Sequence, residues 1–588
     1  MTTPLALPQT RNTNPSGNFQ IDSLLGGIKW GGPAGNSAEL TYSFPWSTGD
    51  TALFEGYSGA AYSNNNEPTA SQRFGLNALQ KLAFEQALQA WANVAKISFS
   101  QVADNAMSVG DIRVAFSSAS SLASSWGYAA YPNSYWPNGG DIWINASQAS
   151  SLNWAPSSFN FEALMHEVGH ALGLKHPFEG GVTLPFNVSN GLYTLMSYAN
   201  PSNNLFVKLV SNTNGSTSWS SFSVYPETPM LLDIAAIQYL YGANMAFNAD
   251  DTKYTFDPKV PFFKTIWDGG GNDTLSVANF SRPCLIDLTP GHFSNIATTL
   301  SDATTGYRWE TLPPNPTYDA LQNLGIAFNC IIENAEGGFG NDILKGNTAN
   351  NGLSGGYGND QLDGGDGIDT AIYDASLDDF SLKINRYTKT ATVTDGKSSR
   401  FGVDSLSNIE KIQFGNLSFD LFNPKLSAAP AWNQNNSFLF DASYYLLSHP
   451  TLASSFSLQS AFNHYLSTGA SLGYQPNAWF DPVFYATRWP DLKNAQLDAA
   501  TLFQHYNLYG VWEGRSASAV WDQYDGSRYL VSNPDVAAYV DSHLSTFLGN
   551  RINGALAHYL IYGAEEGRIA FTTQGVAIEA AILIGAVG

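Results

Sequence analysis

Cysteine is nearly missing from this sequence, with only Cys284 and Cys330 among 588 residues. That count excludes a scaffold stapled by disulfides and leaves room for one bridge. Basic residues are scarce too: 27 Lys and Arg face 49 Asp and Glu, for a net charge of −22 and a pI near 4.6. Such a balance argues against nucleic acid or an anionic membrane as a partner. It fits either a solubilising surface or a set of cation ligands. No stretch reaches the roughly eighteen apolar residues of a membrane helix, so no membrane span is expected. The opening MTTPLALPQTRNTNPSGNF lacks the apolar core of a signal peptide. The expectation is a chain that stays in the cytosol or leaves by a route that does not read its N-terminus. Apolar residues are not lacking: 44% hydrophobic with 13% aromatic is enough to pack real cores and excludes a disordered chain.

Histidine is rare as well, at nine residues, yet three fall within the string HEVGHALGLKH. His166 and His170, four apart on a helix, share one face and can bind one metal ion. Glu167 beside them is placed to take a proton from water. Gly173 can adopt positive φ and turn the chain, so that His176 returns as a third ligand and a fourth position stays open, as catalytic zinc requires. Leu195-Met196-Ser197-Tyr198 follows, giving the HExxHxxGxxH plus methionine-turn combination of the metzincin proteases.

Along the chain, residues 1–20 read as a leader or short propeptide. Residues 21–245 read as a zinc metalloprotease domain. LTYSFPW, Ile112–Phe116 and Asp141–Asn145 are expected as strands, and Ala70–Ile97 as a long helix with Leu79, Phe84, Leu88 and Trp91 on its packed side. Trp126–Asn133 reads as an edge strand, serving either peptide pairing or plain sheet packing. Pro229–Tyr241 is a second helix. From Gly337 a nine-residue period appears: GGFGNDILK, GNTANNGLS, GGYGNDQLD, GGDGIDTAI. This repeat stacks as a parallel β-roll with calcium in its turns. The calcium positions are Gly337, Phe339 and Asp342, then Gly346, Thr348 and Asn351, then Gly356, Gly358 and Asp360, then Gly365, Gly367 and Asp369. Turns alternate between two sides, so Asp342 should face Asp360 and Asn351 should face Asp369. The second turn is degenerate and should bind calcium less well. The earlier cluster Asp268, Gly270 and Asp273 reads as an isolated calcium loop. The roll domain spans 246–422, a Pro/Ala/Ser/Asn linker 423–437, and a helical repeat module 438–573. Each of its three units carries an aromatic-Asp start and a His-Tyr-x-x-x-Gly motif. Their His464, His505 and His558 read as packing rather than metal ligands.

These motifs together resemble the serralysin-type, calcium-dependent metalloproteases with RTX repeats, over roughly Asp22 to Leu421. The resemblance implies a multidomain fold: an α/β metzincin peptidase domain, a calcium-filled parallel β-roll, and beyond it a mainly α extension outside the usual pattern. It implies a zinc endopeptidase acting on proteins or peptides, with Zn2+ and Ca2+ as cofactors. Tyr198 stands where the family has a further zinc ligand that moves off to stabilise the transition state. Asp268, Gly270 and Asp273 match the family's calcium site, although Asn248 and Asp250 depart from its upstream half. The apolar segment 574–588 resembles the C-terminal export signals of such proteins. Secretion by type I machinery to an extracellular, or cell-surface-associated, location is therefore expected, with a cell-surface ligand for the C-terminal repeats. The alternative is a calcium-dependent adhesin, bound to the cell surface or a surface layer, with a vestigial peptidase.

Overall fold

The structure is a computed structural model that describes residues 3–4, 9–47, 54, 62–63, 65–105, 108–133, 138–211, 217–302, 309, 311–386, 388–398, 400–422, 437–453, 455–578 and 581–584. The 423–437 linker lies outside these residues except for Ser437, as do residues 1–2 and 5–8 of the leader. The chain forms two compact units, 1–280 with 284–333 and 281–283 with 334–588.

The first unit is built on a mixed sheet in the order Ile97–Gln101, Ala38–Ser43, Ile112–Ser117, Ile142–Asn145, Gly127–Ala129. The first four strands run parallel, and Gly127–Ala129 closes the edge antiparallel to Ile142–Asn145. The helix expected from Ala70 begins at Ala78 and ends at Val94, because Asn77 and Gln80 form a reciprocal capping box and Arg73–Phe74 pair with the sheet. Phe84, Leu88 and Trp91 are buried as expected, but Leu79 is 69% exposed. At 100° per residue it sits about 140° round the helix from Phe84, on the solvent side. The next helix, Phe159–Ala171, packs against it, with the Trp91 indole donating to the Met165 carbonyl at 3.1 Å. Leu231–Tyr241 supplies the third helix, and its Tyr241 hydroxyl reaches the Leu172 carbonyl at 2.8 Å. Part of the presumed leader is ordered: Thr10–Asn12 pairs antiparallel with Ile28–Trp30. Cys284 and Cys330 are both buried and do not form a disulfide with each other.

In the second unit the nine-residue period becomes geometry. Each repeat yields one short strand, and strands pair in parallel with the repeat eighteen residues on: Leu344 with Leu362, Leu353 with Ala371. These eighth-position side chains are all buried and fill the interior. Non-repeat strands Val403–Ser407 and Lys411–Phe414 extend the two faces. Phe380–Asn385 and Thr390–Asp395 form a hairpin, and Ala581–Ile584 adds itself antiparallel to the hairpin's first strand.

Helices then dominate residues 442–563 of this unit. The repeated sequence acquires a physical explanation here. Asp441, Asp481 and Asp525 cap the helices Ala442–Leu447, Pro482–Arg488 and Gly526–Ser532 through side-chain oxygens. Pro450, Pro490 and Pro534 each open a following helix, where a missing N–H costs nothing. The tyrosine four residues after each capping Asp bonds the repeat histidine: Tyr445 to His464 at 2.8 Å, Tyr485 to His505 at 3.0 Å, Tyr529 to His558 at 3.1 Å. The motif glycine leaves room for that hydroxyl. A Cβ on Gly469, Gly510 or Gly563 would lie 2.0, 2.2 or 2.3 Å from it. Gly510→Ala is therefore expected to destabilise the tail by about 1–3 kcal/mol through overpacking. Adding Tyr485→Phe should recover part of the loss, as read by urea unfolding of the full chain in calcium.

Candidate active site

Ser158 caps the helix Phe159–Ala171, which carries His166, Glu167 and His170 on its buried side. The helix ends where Gly173 takes φ +106°, a position whose Cβ would strike the Ile28 carbonyl at 2.3 Å. The turn brings His176 back, and the three Nε2 atoms stand 3.1, 3.1 and 3.3 Å apart. Their Nδ1 atoms decide what this means. His166 Nδ1 lies 2.7 Å from the Leu195 carbonyl, and His170 Nδ1 lies 2.7 Å from the Leu174 carbonyl. A carbonyl only accepts, so Nδ1 carries the proton and each Nε2 presents a lone pair. His176 Nδ1 meets Glu179 Oε1 at 2.8 Å to the same effect. Burial holds His166 neutral, down to about 4, and His170 well below its ordinary value. Neutral imidazoles with converging lone pairs repel one another unless a cation sits between them, so the donor set fits a metal ion such as zinc.

Glu167 is buried, and its Oε2 has no hydrogen-bond partner among the described residues. The Ala129 amide of the edge strand donates to the carboxylate, and burial raises the group to about 8. Tyr198 is 70% exposed, its ring 4.5 Å from that of His176. Met196 is fully buried beneath the site, pressed so closely on Gly169 that a Cβ there would meet its sulfur at 2.7 Å.

Several neighbours escaped the sequence reading. Glu179 orients His176, Phe178 stacks parallel on the His176 ring at 5.1 Å, and Tyr131 meets the His170 ring edge-on at 5.5 Å. Asp233 is the least obvious. Fully buried, it accepts from the Thr194 hydroxyl, the Leu195 amide and the Met230 amide at 2.6, 2.7 and 2.9 Å. It thus holds the residue whose carbonyl fixes the His166 tautomer. An Asp in the first turn of a helix was the available signal, and it reads only as a cap.

The calcium candidates form two groups. In the first unit the Gly270 amide donates to Asp268, the Thr252 amide to Asp273, and the Asp273 amide to Glu333. The carbonyl of Asp250 lies against Gly271, so the departing upstream half still approaches the loop. In the roll, the Asp342 amide donates to Asp360 at 2.7 Å and the Asn351 amide to Asp369 at 2.6 Å, the pairs expected from the repeat. The series continues beyond the repeats, from the Asp360 amide to Asp404 and from the Asp369 amide to Glu410. Neither acceptor lies in the nine-residue register, which is why the period did not reveal them. Buried oxygens of Asp360 and Asp369 have no partner among the described residues. In the degenerate turn, the Asn351 amide group is tied to Asn347 instead. Gly356, Gly358, Gly365 and Gly367 all hold positive φ, whereas Gly337, Gly346, Phe339 and Thr348 do not. His464, His505 and His558 each bond a different tyrosine and are not gathered together.

Two measurements follow from these contacts. Asp233→Ala orphans two buried amides and a hydroxyl, so zinc affinity should fall about 10- to 100-fold in chelator competition, while Asp233→Asn retains more of it. The second concerns pH. Burial pushes Asp360 to about 8, Asp404 to about 7 and Asp369 to about 6, above an ordinary carboxylate near 4. The folded, calcium-free roll thus binds more protons than the unfolded chain between about pH 4 and 8, and its stability falls as pH rises through that window. Melting in chelator should drop from pH 5 to pH 8. Millimolar calcium should flatten the slope.

Residues 65–189 match the family described as Matrixin, Peptidase_M10. Among curated proteins the chain is 30% identical to Serralysin of Proteus mirabilis over 54% of its own length and 61% of that protein's. It is 31% identical to Serralysin G of Dickeya chrysanthemi (55% and 63%), and 32% identical to Metallopeptidase AprA of Pseudomonas marginalis (53% and 61%). The chain thus spans about six-tenths of the length of these relatives. With the histidine cluster, the glycine turn and the buried methionine, these matches make this part of the chain similar to the serralysin-type metzincins.

Proposed function

We propose that this protein is a secreted zinc endopeptidase that hydrolyses proteins or peptides and is stabilised by calcium. The observation that carries the reading is three imidazoles whose Nε2 atoms converge beside a buried carboxylate with one oxygen that has no partner among the described residues. His166, His170 and His176 would hold the zinc, with Tyr198 beside them. The ion supplies Lewis acidity, polarising a scissile carbonyl and making water acidic near neutral pH. An extended substrate can pair with the edge strand Gly127–Ala129. Glu167 takes a proton from the attacking water on Oε2, holds it in its buried setting, and delivers it to the leaving amine. The Tyr198 hydroxyl donates to the oxyanion as it forms. The mainly α region 438–573 takes no part in this chemistry and serves as a separate attachment module on the cell surface.

Export before folding suits the roll. Extracellular calcium modules bind at roughly 10⁻⁴ to 10⁻³ M, far above cytosolic calcium. Sites that cannot fill inside the cell leave buried carboxylates repelling one another, so the roll folds outside, after passage through type I machinery.

Casein digestion with and without chelator tests the reading. Glu167→Ala should keep zinc by metal analysis yet lose nearly all turnover, and Tyr198→Phe should lower kcat roughly 10²–10³-fold. Calcium-dependent surface binding with no digestion would support the adhesin instead.

A further inference from the structure

Four tryptophans lie in the helical region of the second unit, and they are not equivalent. Trp489 donates its indole N–H to the Ser516 carbonyl at 3.2 Å, and Trp512 donates to the Asn507 carbonyl at 3.0 Å. Those two are accounted for by packing. Trp479 and Trp521 have no acceptor for their indole N–H among the described residues, and both line one cavity of about 390 Å³. Such a volume falls within the roughly 300–1,000 Å³ of small-ligand sites.

The cavity is a product of the repeat. The Asp441 amide hooks the Pro476 carbonyl, Asp481 hooks Ala517, and Asp525 hooks Phe571, at 2.9, 3.0 and 2.8 Å. These hooks dock each unit's start against the junction that follows it. Phe438–Asp441 of the first unit, Asn477–Asp481 of the second, and Ser518 with Trp521 of the third consequently meet around one space.

Its chemistry narrows the occupant. Arg386, the cation on the lining, is paired with Asp441 at 2.7 Å, so its charge is offset by a carboxylate on the same wall. Asp481 spends one oxygen on the Val483 and Phe484 amides, which offsets its charge against a helix start. Glu565 is an exposed carboxylate at the rim. The Gln475 side-chain oxygen accepts from the Tyr444 hydroxyl at 3.0 Å, so what remains open is aromatic surface, two indole donors, the Ser518 hydroxyl and the Gln475 NH2 group. Free donors disfavour a cationic ligand, which offers nothing to accept them. A neutral ring carrying C–H faces and hydroxyls satisfies both the aromatic walls and the polar groups.

We propose that this cavity binds a sugar residue of a neutral oligosaccharide or polysaccharide. Trp479 and Trp521 supply stacking surface and N–H donors, and Gln475 and Ser518 address hydroxyls. The site belongs to the second unit alone and stands whether or not the peptidase reading does.

Isothermal titration of the full chain in millimolar calcium tests it, with cellotetraose, mannotetraose, galactotetraose and tetra-N-acetylchitotetraose as probes. At least one should bind saturably, with a change in tryptophan fluorescence. Trp479→Ala should weaken that binding at least tenfold. Ala478→Arg, at an exposed position on the lining, should do the same without disturbing the core, and Trp489→Phe should leave it unchanged. The proposal is overturned if none of the four binds, if Trp479→Ala and Ala478→Arg both bind like the parent, or if acidic oligosaccharides or peptides alone occupy the site.

Discussion

Everything at the histidine cluster depends on a tautomer. Two backbone carbonyls and one carboxylate take the Nδ1 protons of three histidines, and each ring is left with its lone pair aimed at the other two. Without those acceptors the rings could rotate or protonate and relieve the repulsion themselves. With them, relief has to come from a cation. Glycines, buried methionine and Asp233 serve this end by fixing where the carbonyls stand.

The roll repeats the principle in carboxylate form. Amide-to-carboxylate bonds march from turn to turn through Asp342, Asp360 and Asp404 on one side and Asn351, Asp369 and Glu410 on the other. Backbone geometry places the oxygens, and burial makes their charge costly. In both sites the protein gathers groups that oppose one another and relies on a metal to reconcile them. Metal affinity and fold stability are then largely one quantity.

What could be read in advance was whatever repeats or clusters locally. The zinc string, the nine-residue period, its eighteen-residue pairing and its buried eighth position were all visible, because each rests on spacing along the chain. The helix at Ala78 was misjudged at its start, since the pairing of Arg73–Phe74 with a strand some forty residues on leaves no local trace. Asp233, Asp404 and Glu410 were missed for the same reason: their roles arise from partners that folding alone brings near. The tail's His-Tyr motif was recognised as packing, yet the tyrosine that each histidine binds, and the glycine that makes space for its hydroxyl, needed three dimensions.

The strand Ala581–Ile584 has a further consequence. It pairs with Phe380–Asn385, about two hundred residues earlier in the chain, and closing so long a loop is slow relative to local folding. Until it arrives, the first strand of the hairpin is a bare sheet edge with unpaired amides and carbonyls, ready to recruit a strand from any neighbouring molecule. The chain thus guards its roll against aggregation with a piece made long after the roll itself. Loss of the strand Ala581–Ile584 would leave the histidine cluster in place and still expose a sticky sheet edge.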